Sequence, residues 1–92
     1  MRTVKYTNRF KRDYRREKSG QLGRKLDALL MEVVNSLAAD TPLPHRNFDH
    51  ALTGDWIDHR DCHIRPDLVL IYRKPCDDLE LVRLGSHSEL GL

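Results

Sequence analysis

The segment from His50 to His87 carries the densest chemistry in the chain. It holds four of the five histidines, His50, His59, His63 and His87, together with Asp55, Asp58, Asp61, Asp67, Asp77 and Asp78. An imidazole with an ordinary pKa near ~6.5 gives and takes protons around neutrality, and a carboxylate beside it orients the ring or shares its proton. Asp61 and His63 stand two apart in a β-prone stretch, so they project from one face, roughly 6.5–7 Å apart along the backbone. Asp67 ends a turn at Arg65-Pro66-Asp67 that folds it back toward His63. His87 leaves the last strand, and His50 lies in the loop feeding the first strand of the meander. Four segments are therefore expected to converge on one concave patch of a small sheet.

Metal-free RNA cleavage suits such a patch. RNA brings its own nucleophile, the 2′-hydroxyl. The protein need only remove that proton, protonate the leaving 5′-oxygen and stabilise the added charge on phosphorus. Arg83, four residues before His87, and Arg60 are the candidates for holding substrate. No metal or other cofactor is expected, because there is no HExxH word and no closely spaced cysteine pair, and Cys62 points away from Asp61 and His63 by strand parity. Ser86 and Ser88 flank His87 without a nucleophile-elbow pattern. His45 and His59 read as surface histidines, and Trp56, Leu68, Leu70 and Tyr72 read as core.

These groups need a scaffold. Thr3–Tyr6 is β-prone, Thr7 can cap a helix that carries Phe10 and Tyr14 on one face, and Ser19-Gly20 ends it. Leu22, Leu26, Leu29, Leu30, Val33 and Leu37 repeat at the helical period and predict a second helix from about Gln21 to Ala39. Asp40-Thr41-Pro42-Leu43-Pro44 breaks it and opens a long loop that runs to Gly54. Three strands follow, Trp56–Ile64, Leu68–Tyr72 and Leu79–Leu84. The order β-α-α-β-β-β predicts an α+β fold with both helices on one face of a small antiparallel sheet.

Ninety-two residues suffice for one domain, 1–92, with a modest core. The composition, 39% hydrophobic and 33% charged, is that of a globular chain rather than a disordered one. No apolar run approaches the ~20 residues of a membrane span, and the N-terminus lacks the apolar core of a secretory signal, so the expected location is the cytoplasm. Cys62 and Cys76 are expected as reduced thiols. The net charge of +2 conceals an asymmetry: residues 1–30 carry ten Lys/Arg and three acids, which leaves −5 for the rest. A basic segment beside an acidic, histidine-bearing one suits a polyanion, although a solvated helix face gives the same pattern.

The words Asp49-His50, Leu52, Gly54 and Trp56; Arg60-Asp61 and His63; Pro66-Asp67, Leu70-Ile71-Tyr72; and Arg83, Gly85, His87 together resemble the YafQ branch of the RelE/ParE toxin superfamily. The likeness covers nearly the whole chain. It implies a RelE-like ribonuclease fold and the toxin of a type II toxin–antitoxin pair, an endoribonuclease that enters the ribosomal A site and cleaves translated mRNA. It implies a cognate antitoxin, ribosomal RNA and mRNA as partners, and operator DNA as a target of the toxin–antitoxin complex. The catalytic set it implies is His50, His63, Asp67 and His87, with Asp61 close by, His87 as general acid and His50 as base. One departure stands out. YafQ-like chains end in an aromatic residue, whereas this one ends Leu90-Gly91-Leu92. Two other readings are compatible with the same fold: a non-catalytic inhibitor of DNA gyrase, as in ParE-type members, which lack the histidine set, and a catalytically weakened homologue that only binds its antitoxin.

Overall fold

A computed structural model describes residues 1–92. Thr7 caps the first helix as its residue type requires: its hydroxyl accepts the Phe10 N–H at 3.0 Å and donates to the Val82 carbonyl at 2.8 Å. Strand β1 (Thr3–Tyr6) thus passes directly into helix α1 (Asn8–Lys18), capped at its far end by Ser19. Helix α2 (Gly23–Ala38) buries Leu26, Leu30, Val33, Val34, Leu37 and Ala38. Leu22 and Leu29, at the margins of the predicted stripe, pack against this core only partly buried.

The rest of the chain makes strands β2 (His50–Ala51), β3 (Arg60–Arg65), β4 (Leu68–Arg73) and β5 (Asp78–Gly85), then a single-turn helix α3 (His87–Leu90). The sheet order is β1-β5-β4-β3-β2. It is antiparallel from β2 to β5, whereas β1 adds to β5 in parallel, so the predicted antiparallel sheet is mixed at that edge. The predicted strand from Trp56 begins only at Arg60. Gly54–Trp56 winds into a 3₁₀ turn, and Asp58 takes a left-handed backbone (φ 69°) that no extended strand accommodates.

Both helices lie on one face of the sheet, over Cys62, Ile64, Leu68, Leu70, Tyr72, Leu79, Leu81 and Leu84. On the other face Val69, Ile71, Val82 and Leu90 form a small second cluster, with Leu52 and Trp56 packed against it. This explains the unbroken apolar run of β4: its side chains are buried on both sides. Cys62 is buried, Cys76 is exposed, and both are free thiols. No helix is long and apolar enough to cross a membrane.

Candidate active site

The face opposite the helices carries the predicted chemistry. Asp61 and His63 alternate with Cys62 and Ile64 along β3, so core packing of the latter turns the former outward. Edge strand β2 sets His50 directly opposite Asp61. The tight Pro66-Asp67 turn, closed by the Arg65–Leu68 pair, returns Asp67 to the end of β3. At the end of β5 the chain turns into α3, whose Leu90 packs on Val69 and Ile71 and so brings His87 over the sheet. Ser86 and Glu89 cap α3 reciprocally, Ser86 Oγ accepting the Glu89 N–H and Glu89 accepting the Ser86 N–H. Gly85 makes this corner tight: a Cβ there would push on the ends of the Arg16 and Glu89 side chains, at 2.9 Å and 3.2 Å. The strand ends at Gly85, so His87 is carried by α3 and not by β5.

His87 and Asp67 form a dyad. Asp67 Oδ1 accepts the His87 backbone N–H at 3.0 Å and lies 2.7 Å from His87 Nδ1. A carboxylate only accepts, so Nδ1 carries the proton of this bond and Nε2 is the nitrogen left free of it. The backbone bond from His87, then the bond from its ring, hold the Asp67 carboxyl below the usual range. The rings of His63 and His87 meet edge to face, 5.0 Å between centroids.

His50 is held from the other side. Its Nδ1 lies 2.8 Å from the Phe48 carbonyl, an acceptor, which again places the proton on Nδ1 and leaves Nε2 free to accept one. The same Nδ1 is 3.0 Å from Asp61 Oδ1, but its N–H is aimed at Phe48. Asp61 Oδ1 is consequently buried without a hydrogen-bond partner. Burial raises the Asp61 carboxyl above its ordinary range, against the pull of His50, His63 and His87. All three imidazoles thus act on one buried carboxylate, and the set His50, Asp61, His63, Asp67 and His87 is brought together on one surface.

Each of the two arginines is held by a carboxylate of the chain. Arg83 donates from Nε (2.6 Å) and Nη2 (3.3 Å) to Asp13, a buried residue of α1 that also accepts the Leu84 N–H and Arg16 Nη1. Arg60 sits on the helix side by parity, its Nε 3.3 Å from both Asp49 and the Tyr72 hydroxyl, which donates to Asp49 at 2.5 Å. His45 is exposed, and half-buried His59 packs edge-on against half-buried Trp56. No three His, Cys, Asp or Glu side chains are gathered closely enough to hold one metal ion.

Sequence reasoning missed Phe48, Asn47 and Asp13. Asn47, buried in a 3₁₀ turn (His45–Asn47), donates to the His63 carbonyl at 2.8 Å and ties the long loop to β3. Phe48 follows it with φ 47° and ψ 50°, a left-handed conformation that costs a non-glycine residue about 1–3 kcal/mol. Its ring lies 4.9 Å from that of His50 and 5.6 Å from that of His63. No propensity signal announces a left-handed aromatic; only an exposed Phe beside a functional His would have hinted at it.

The five-stranded sheet with two helices on one face is shared with solved YafQ toxins, proteins of RelE-like fold. A toxin from Helicobacter pylori, solved as a copper-bound mutant, superposes with a TM-score of 0.86 at 38% identity, over 98% of this chain and 99% of that one. Escherichia coli YafQ in its complex with DinJ superposes with a TM-score of 0.71 at 28% identity, over 98% of each chain. The mRNA interferase toxin YafQ of E. coli K12 is 32% identical, over 97% of this chain and 95% of its own. Residues 2–91 match the family described as the bacterial toxin of type II toxin–antitoxin system, YafQ. The chain belongs to that family.

Proposed function

We propose that this protein is the toxin of a type II pair that acts as a ribosome-dependent mRNA endoribonuclease. The observation that carries the reading is the pairing of two imidazoles, each with Nδ1 hydrogen-bonded to a fixed acceptor, Phe48 O for His50 and Asp67 for His87. Each acceptor ties up Nδ1 and leaves Nε2 as the nitrogen available for proton transfer, which is what an acid and a base acting on one phosphodiester need. His50 takes the proton of the 2′-hydroxyl. The oxygen attacks phosphorus to form a 2′,3′-cyclic phosphate, and His87 protonates the departing 5′-oxygen. His63 buttresses His87, and Asp67 holds the His87 ring in place through its Nδ1. Arg83 Nη1 makes no hydrogen bond within the chain and is the group proposed to meet the phosphate; Arg60 serves the Asp49–Tyr72 network.

The exposed Arg9, Lys11, Arg12 and Arg15 of α1 suit ribosomal RNA phosphates. The location is then the cytoplasm, where ribosomes translate. The solved DinJ–YafQ complex supports a cognate antitoxin as partner, and the toxin–antitoxin complex is proposed to bind operator DNA.

Mapping mRNA 5′ ends after brief induction tests the reading. Cuts within translated codons are expected for the wild type and not for His87→Ala. Cleaved plasmid DNA with intact mRNA would instead place the protein with the gyrase inhibitors. A folded His87→Ala toxin that still cuts mRNA refutes the acid assignment.

A further inference from the structure

Phe48 is 59% exposed, yet its backbone is held in the left-handed region and its ring is wedged between His50 and His63. One conformation does two things: it points the carbonyl at His50 Nδ1 and lays the ring beside the imidazole proposed above as the base. Beyond the ring lies an open recess of about 310 Å³, lined by Pro42, Leu43, Pro44, His45, Asp49 and His50 as well as Phe48. With His50 at the 2′-hydroxyl, the base on the same ribose is the group that reaches this recess.

We propose that Phe48 is the base-stacking platform of the site, a positioning residue that seats the nucleobase of the nucleotide whose 2′-hydroxyl attacks. The assignment rests on the nuclease reading above and specifies which side of the scissile phosphate is gripped. An aromatic face is tolerant of base identity, because every base has a π-face. The ring therefore contributes affinity and register rather than base selectivity.

The test uses full-length toxin and ribosomes programmed with a short mRNA whose wild-type cut has been mapped. Two further mRNAs carry a ribo-abasic residue, with its 2′-hydroxyl intact, either 5′ or 3′ of that cut. Phe48→Asn removes the ring with a residue that tolerates left-handed backbone; Phe48→Trp keeps a ring. Phe48→Asn is expected to raise KM roughly 5- to 150-fold with kcat and pH profile little changed, and Phe48→Trp to stay near wild type. The 5′-abasic mRNA should cost the wild type a similar factor and cost Phe48→Asn nothing further; the 3′-abasic mRNA should cost neither. Wild-type KM in Phe48→Asn, or undiminished cutting of the 5′-abasic mRNA by the wild type, overturns the platform while leaving the nuclease reading intact. The abasic arm needs no variant to fold. If no wild-type cut can be mapped on any ribosome-bound mRNA, both readings fail.

Discussion

Asp67 binds His87 twice, through the backbone N–H at 3.0 Å and the ring Nδ1 at 2.7 Å, across 20 residues of sequence. The backbone bond fixes where α3 begins, and the ring bond fixes which nitrogen is presented. Asp67→Ala is expected to release both. Because a positioned acid or base is worth about 10²–10⁴ in rate, cleavage should fall about 10²-fold with little change in the thermal midpoint, since the pair is exposed. Cleavage assays beside thermal melts decide it; an Asp67→Ala protein with full activity removes the dyad from the mechanism.

Asp61 is the strained member of the set. Burial lifts its carboxyl above the ordinary range, and one oxygen has no hydrogen bond. A carboxyl that holds its proton more tightly in the folded chain costs stability once it ionises. The cost is present above the raised value and disappears as pH falls toward the unfolded value near ~3.9. Asp61→Asn should therefore melt higher than wild type at pH 7, by about 1 kcal/mol, with the gain vanishing near pH ~4, while cleavage drops at least about tenfold. Calorimetry at the two pH values checks the sign, and a variant less stable at pH 7 contradicts it.

Asp13 shows the opposite titration. Burial pushes its carboxyl up, but the hydrogen bonds from Arg83 and Leu84 and the charges of Arg83 and Arg16 outweigh that and hold it below the ordinary range. Its contribution is complete above ~3.9 and is lost as pH falls through the lowered value. Asp13→Ala leaves Arg83, itself only 14% exposed, without its counter-charge, at an expected cost of about 3–5 kcal/mol at pH 7 that shrinks in acid. Urea titrations at pH 7 and pH 3 measure this. A small, pH-independent loss would show that Arg83 does not depend on Asp13.

Leu90 anchors α3, a four-residue helix too short to persist alone. Its side chain is buried against Val69, Ile71 and Val82. Leu90→Ala should cost about 2–3 kcal/mol locally, expose the α3 amides to hydrogen exchange and reduce cleavage by displacing His87, while the β4 amides stay protected. Unchanged α3 protection with full activity would separate the anchor from the site.

Local pattern determined much of this protein. The helical period of Leu26, Leu30, Val33 and Leu37, the Thr7 cap, the alternation of Asp61 and His63 with Cys62 and Ile64, and the turn at Pro66-Asp67 are short-range properties of a chain whose neighbours decide its backbone. They were enough to put Asp61 and His63 on one face and to return Asp67 to it; His50 and His87 reach it through β2–β3 pairing and the packing of Leu90. Tertiary structure decided the rest, because each remaining feature depends on groups far apart in sequence. The parallel pairing of β1 with β5, the commitment of Arg83 to Asp13 seventy residues away, the removal of Arg60 to the helix side with Tyr72, the burial that leaves Asp61 unpaired, and the left-handed Phe48 between two histidines all arise from long-range packing, which overrides what any window of sequence prefers.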